Sequence, residues 1–512
     1  MYPIDFFYRS ARLRPQAVAI SSSDEQVRYG TLLERVQALA AAFQALDPAE
    51  QSRVGICASN SVEHIVALLA VLASGKIWVP LNPRNSSVEL NRTLEVTRPS
   101  IVVVEDKYRV GLQLQDVPSV ISTCPDEGGG TLAALISRHA GCTPAPITCG
   151  MDAVQAIKFT GGSTGIPKGV MQPYRAWKAT LINQIHAYRF NEQDRYLLAS
   201  PVTHGASTYI LPILAQGGCH VLPDDTYPQS ILRSLREDGI TTSFMPPTLI
   251  YMLMAAGEEG RNEGEYARLN FPALRHLVYG GAPMPPEKIR AAQRFFGPVL
   301  ATTYGQTEAP QIVTFISAEE LAQEDNVGSV GRMALTADMA IMDPEGRLLP
   351  SGEVGEIVVR GDLVMAGYWN MPDKTAETII DGWLHTGDRG FLDARGYLYL
   401  RDRLREVIIT GGFNVYPIDV EDVLTRHPAV HESAVFGVDD DKWGEAVHAA
   451  VQLKPGCQVN AAELIMFAKE ELGSVKAPKH VHFYESLPRS PVGKVQKDAV
   501  KRDVLDQAAA QH

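Results

Sequence analysis

Apolar positions along the first hundred residues recur with two different periods. Leu32, Val36, Leu39, Phe43 and Leu46 follow one another at helical spacing, and Thr31-Leu32-Leu33-Glu34 ahead of them reads as a capping box, so a helix is expected to start at Thr31. Val54 to Ala58 reads as a short buried strand, Ser61 to Ser74 as a helix stopped by Gly75, and Ile77 to Leu81 and Ile101 to Val104 as further strands. Strand and helix in turn predict a layered α/β fold. The stretches Asp126 to Gly130 and Cys142 to Gly150 read as a surface loop and a connector. After about residue 330 the rhythm changes to short apolar runs between glycine turns, Gly355 to Arg360 and Gly396 to Leu400, which predicts a small antiparallel β unit. From Arg405 a separate α+β piece begins, with helices over Ile418 to Arg426 and Ala461 to Leu472 and strands over Ser433 to Val438 and Ala446 to Leu453.

Composition narrows the class. The chain has 512 residues, which calls for two or more domains. With 45% apolar and 21% charged residues it is an ordinary globular chain. A net charge of −12 makes nucleic acid a poor partner, because an acidic surface repels a phosphate backbone. The six cysteines, Cys57, Cys124, Cys142, Cys149, Cys219 and Cys457, form no CxxC pair, which fits reduced thiols in the cytoplasm better than disulfides or a zinc site. The opening Met1-Tyr2-Pro3-Ile4-Asp5 lacks signal-peptide character, and the longest apolar run, Ile65 to Ala73, is too short for a membrane span.

The most informative segment runs from Phe159 to Gly169. It holds Thr160, Gly161, Gly162, Ser163, Thr164, Gly165 and Lys168. Glycines let successive N–H groups line an anion-binding concavity, the hydroxyls add donors, and the lysine adds a point charge suited to phosphate. The bland alternative is a flexible turn with an exposed lysine. A Walker A loop is excluded, since Pro167 stands where that motif requires glycine.

This segment resembles the signature loop of the acyl-adenylate-forming superfamily, which comprises acyl- and aryl-CoA synthetases, adenylation domains of peptide synthetases and beetle luciferases. Gly161 replaces the usual serine. The resemblance continues in order from about residue 25 to 500. It implies a large N-terminal domain of layered α/β subdomains with a β-barrel-like subdomain over residues 1–404, and a small mobile α+β lid over 405–512. Gly280-Gly281-Ala282-Pro283 resembles the adenine-side loop. Thr303-Tyr304-Gly305-Gln306-Thr307-Glu308 resembles a segment in which Tyr304 stacks on adenine, Thr307 bonds the α-phosphate and Glu308 holds Mg²⁺. Asp388 in His385-Thr386-Gly387-Asp388, and Arg403 beyond it, match ribose ligands. Arg405 falls at the interdomain hinge, where Asp or Lys is usual. Gly411, Gly412 and Phe413 match a loop that lines the CoA tunnel, and Lys494 matches the lysine that grips the carboxylate and α-phosphate. Taken singly, each has a plain alternative: a tight turn, a helix cap, a solvated charge run or a surface lysine.

The resemblance thus implies an ATP- and Mg²⁺-dependent enzyme that makes an acyl-AMP and passes the acyl group to coenzyme A. His204 matches the residue that gates the acid and CoA sides, and His204, Gly205, Phe244, Met245, Gly281, Thr303, Pro310 and Ile312 are expected around the acyl pocket. Gly205 stands where amino-acid-activating relatives carry Asp, and Thr303 where malonate-activating relatives carry Arg. An aromatic or medium-chain aliphatic monocarboxylate is therefore expected. The rivals are a ligase that loads a carrier-protein pantetheine, a luciferase-like oxygenase, and a non-catalytic nucleotide-binding module. A homodimer is left open, and acetylation of Lys494 would remove the charge the first step needs.

Overall fold

The computed structural model describes residues 1–123, 130–160, 168–262, 270–403, 408–410, 413–440, 444–490 and 493–509. Two large sheets form the body of the chain. One has seven strands in the order Gly367–Tyr368, Lys168–Pro173, Val154–Thr160, Ile77–Pro80, Arg53–Cys57, Ile101–Val104 and Ser119–Ser122. The other has nine: Arg332–Met333, Thr314–Ile316, Leu300–Tyr304, His276–Tyr279, Thr242–Met245, Arg195–Leu197, Cys219–Val221, Val18–Ser21 and Gln26–Arg28. Helices Tyr29–Leu46, Val62–Ala73 and Tyr174–Tyr188 contribute to the apolar core that also takes in Ala156 and Trp78 of the first sheet and Tyr196, Phe244 and Val278 of the second.

The expected elements of the first hundred residues are present as Arg53–Cys57, Val62–Ala73, Ile77–Pro80 and Ile101–Val104. The expected helix start at Thr31 is corrected. The helix begins at Tyr29, its N-cap Arg28 makes no side-chain cap, and Thr31 and Glu34 form no capping box. The amides of Tyr29 and Gly30 bond instead to the carbonyls of Ala17 and Pro15, so the preceding chain satisfies the helix end. Leu46, expected on the apolar face, is exposed.

The smaller β unit pairs Asp338–Met342, Gly355–Arg360, Trp383–Leu392 and Ile379–Ile380, with Leu398–Arg403 also paired to Trp383–Leu392. The next described strand, Ile408–Thr410, pairs with Phe413–Val415 and Gly444–Leu453 in a second small sheet. Helices Pro417–Arg426 and Ala461–Lys476 pack on that sheet around Val420, Val435, Val447 and Leu464. The chain therefore changes sheets between residues 403 and 408.

Candidate active site

In the nine-stranded sheet the parallel strands Thr242–Met245, His276–Tyr279 and Leu300–Tyr304 are in register, with Met245 beside Tyr279 and Tyr279 beside Thr302. Their carboxyl ends lead side by side into Pro246 and the start of helix Pro247–Asn262, into Gly280-Gly281, and into Gly305 to Glu308. The carboxyl edge of a parallel sheet is where open α/β folds bind ligands. In the other sheet Val154–Thr160 and Lys168–Pro173 form an antiparallel hairpin, with Thr160 opposite Lys168. The loop they flank, Gly161, Gly162, Ser163, Thr164 and Gly165 included, lies outside the described residues. So do Arg405, Gly411 and Gly412, and the side chains of Arg403 and Phe413.

The described part of the site is joined by side chains from distant segments. Tyr304 Oη donates to Asp388 Oδ2 at 2.8 Å, and Gln306 Nε2 donates to the same oxygen at 2.5 Å and to the Thr386 carbonyl at 2.9 Å. Glu356 accepts from the Gly387 amide at 2.9 Å and lies 2.8 Å from His385 Nδ1, which fixes the turn that carries Asp388. Tyr368 Oη donates to Glu308 Oε1 at 2.9 Å, and its ring lies under Lys168 Nζ at 5.1 Å from the centroid. The hairpin lysine and the expected metal carboxylate thus meet on one tyrosine. Gln172 Nε2 donates to the Thr307 carbonyl, and Gln172 in turn accepts from Trp177 Nε1. The motifs missed Tyr368, Gln306, Gln172 and Glu356. Only Gln306 lay inside a recognised string; the other three become visible through pairing alone.

Two glycines show why the loops are bare. A side chain on Gly305 would fall 2.6 Å from the Gln311 backbone, and one on Gly280 would fall 3.1 Å from the Phe244 ring. Gly281 instead needs its left-handed φ of 80° and faces open space, with Ala282 half-buried and Pro283 exposed beside it. Thr303 Oγ1 is committed to the carbonyls of Gln311 and Thr314.

The structure brings some of the residues expected around the acyl pocket together and separates others. The Phe244 ring touches Gly205 and Gly280 and stacks on Tyr209 at 5.4 Å. Pro310 is buried and bounds a cavity of about 10 Å³ together with Trp177, Thr180 and Thr208, and Ile312 is buried in the same core as Phe244. Met245 is corrected: it packs on the opposite face, with Leu197, Ile250 and Tyr279, because neighbours on a strand point to opposite sides. His204 opens the turn Gly205–Tyr209, its Nδ1 3.0 Å from Thr203 Oγ1. Burial, with the nearby charges of Lys158 and Arg84, pushes His204 down to about 4, so it is neutral at pH 7.

The turn Ser490–Lys494 is closed by Ser490 N to Lys494 O at 2.7 Å and Gly493 N to Ser490 O at 2.8 Å. Gly493, at φ 83°, lies against Thr248, whose Oγ1 would be 2.6 Å from an added Cβ. Thr248 lies in the first turn of helix Pro247–Asn262, which follows strand Thr242–Met245, so the lysine turn docks at the carboxyl edge of the large sheet. Arg401 pairs with Asp419 at 3.0 Å across the same junction.

Fold and site define an ATP-using enzyme of the AMP-forming ligase class. The chain belongs to the AMP-binding enzyme family, whose model matches residues 7–369, with the AMP-binding enzyme C-terminal domain matching residues 419–494. It is 32% identical to a medium/long-chain-fatty-acid–CoA ligase, FadD8, of Mycobacterium tuberculosis over 93% of this chain and 86% of the relative. It is also 32% identical to a feruloyl-CoA synthase of an Amycolatopsis species over 96% of this chain and 97% of the relative. Among solved structures it matches the amide bond synthetase McbA of Marinactinospora thermotolerans at a TM-score of 0.87, with 30% identity and 98% and 99% of the two chains covered. ATP-bound MatB of Rhodopseudomonas palustris gives 0.87 at 29% identity over 98% and 99%, and apo MatB gives 0.78 over the same shares. No described helix is long and apolar enough to cross a membrane.

Proposed function

We propose that the chain is an ATP-dependent carboxylic acid–CoA ligase that acts through an acyl-AMP on an aromatic or medium-chain aliphatic monocarboxylate. The observation that carries the reading is the convergence of Lys168, Tyr368 and Glu308 with Tyr304, Gln306 and Asp388 on the edge where the Lys494 turn docks. In the first half-reaction a carboxylate oxygen of the acid attacks the α-phosphorus, the bond to the β-phosphate oxygen breaks, and pyrophosphate leaves. Lys494 and Lys168 offset the charge that builds on the phosphates, and Tyr304 and Asp388 hold the nucleoside. Glu308, already oriented by Tyr368, is the carboxylate suited to Mg²⁺, which when bound neutralises pyrophosphate charge. In the second half-reaction the thiol sulfur bonds to the acyl carbonyl carbon and AMP departs. The lid, taken as residues 405–512, then presents the Gly411-Gly412 loop by turning about Arg405. The change of sheet between 403 and 408 supports that boundary.

The CoA-ligase names of two relatives favour CoA as acceptor. The amide bond synthetase keeps an amine acceptor in view, and a 29% identical fatty acid–[acyl-carrier-protein] ligase of Streptomyces coeruleorubidus keeps a carrier protein in view. The test is pyrophosphate release with ATP and Mg²⁺ against benzoates, cinnamates and C4 to C12 fatty acids, with and without CoA. Turnover that one acid class supports only with CoA establishes the reading. Release that stops near one equivalent and is unchanged by CoA points to another acceptor.

A further inference from the structure

Lys158 is buried, with 7% exposure, on the strand that leads into the phosphate loop. It lies two residues before Thr160, so the two side chains share a strand face about 7 Å apart, with Thr160 half-buried and Lys158 buried. Its Nζ sits 5.1 Å from the Trp78 ring and 5.4 Å from the Trp177 ring. Among the described residues its hydrogen-bond partner is Ser207 Oγ, at 2.7 Å. That leaves further N–H directions of a three-donor group inside the protein and, among the described residues, no carboxylate bonded to it. Burial pushes the ammonium down to about 7. Two indole faces offset part of the desolvation cost, but a lysine with no ionic partner is an expensive way to brace a core.

Ser207 belongs to the turn that starts at His204 and carries Gly205, both on the proposed acyl wall. Its neighbour Thr208 lines the small cavity with Trp177, Thr180 and Pro310. Gln184, fully buried, donates to Thr208 Oγ1 at 3.2 Å, while its Oε1 has no partner among the described residues. A donor-rich ammonium, bonded to Ser207, and an amide with an unfilled carbonyl oxygen, bonded to Thr208, therefore flank the turn that carries Gly205. A hydroxyl both accepts and donates, and so complements both.

We infer that Lys158 is a specificity-determining residue that selects acids bearing a hydroxyl group remote from the reacting carboxylate. This rests on the acid-activating function proposed above. The test compares matched acids, cinnamate with 4-hydroxycinnamate and octanoate with 8-hydroxyoctanoate, in the wild type, Lys158→Met and Lys158→Gln. Two readouts are taken on the full chain: pyrophosphate release with ATP and Mg²⁺, and the shift in melting temperature caused by each acid without ATP. The wild type is expected to favour the hydroxylated member of at least one pair by about tenfold in kcat/KM, and the variants to bring that ratio within about twofold. A purely structural Lys158 would lower both members together and leave the ratio intact, which overturns the inference. An absence of preference in the wild type overturns it as well. If no acid supports pyrophosphate release, the activating function itself fails. The melting shifts then decide Lys158 alone: a hydroxyl preference that Lys158→Met abolishes supports it, and equal or absent shifts overturn it.

Discussion

Tyr368 joins the phosphate-side cation to the metal-side carboxylate, and its two contacts can be separated. Tyr368→Phe keeps the ring under Lys168 and removes the hydrogen bond to Glu308. A hydrogen bond to a charged group is worth about 1.5–3 kcal/mol, so kcat/KM for ATP should fall by at least about tenfold. An unchanged value would mean that Glu308 needs no orientation from Tyr368. Lys494→Ala is expected to slow acyl-AMP formation by about 100-fold or more while leaving thiol transfer from supplied acyl-AMP nearly intact, as read by separate half-reaction assays. Equal losses in both halves would remove Lys494 from its proposed role. Tyr368 was illegible in the chain because it stands 60 positions from Glu308. Only the pairing of Gly367 and Tyr368 with Met171 and Val170 brings it to the hairpin. Lys158 was not legible as a site residue, because its surroundings come from Trp78 and Trp177 on two other elements.

Elements decide which way a recognised residue faces. The sequence pointed to both Phe244 and Met245, but neighbours on a strand face opposite ways: Phe244 packs with Val278 in one core, and Met245 with Tyr279 in the other. The helix beginning at Tyr29 shows the same limit at an end. Its amides found carbonyls of Ala17 and Pro15, and no local string of residues encodes that. By contrast the strands Ile77–Pro80 and Ile101–Val104 were legible because both faces are buried, giving unbroken apolar runs. The lysine turn yields a prediction at this scale. Gly493→Ala strains a left-handed backbone by about 1–2 kcal/mol and forces the turn away from Thr248. Acyl-AMP formation should drop about tenfold or more, while melting temperature, set largely by the cores of the two parts, should change little. A large fall in melting temperature with normal adenylation would reverse that view of the docking contact.

At the scale of the whole molecule, the TM-scores of 0.87 against ATP-bound MatB and 0.78 against apo MatB place the chain nearer the nucleotide-bound arrangement of that protein. The folded chain also buries groups that resist protonation. Burial pushes His204, His220 and His276 each down to about 4. The unfolded chain takes up protons at these sites from about pH 6.5 downward, whereas the folded chain does not until about pH 4. The unfolded state therefore binds more protons across that window, and stability falls as pH falls through it. His220 is fully buried, with Nε2 at 3.1 Å from the Ile210 carbonyl, and its share is on the order of 3 kcal/mol by pH 4. Lys158 acts in the next window up, from about 7 towards its unfolded value, again with stability rising as pH rises. His220→Gln keeps an N–H for Ile210 but cannot be charged. Measured by urea unfolding at intervals from pH 8 to 4, the wild type should lose stability most steeply below pH 6.5, and the variant should show a visibly shallower loss over the same range. Parallel curves would mean that His220 is protonated in the folded chain as readily as in the unfolded one, and that acid sensitivity arises elsewhere.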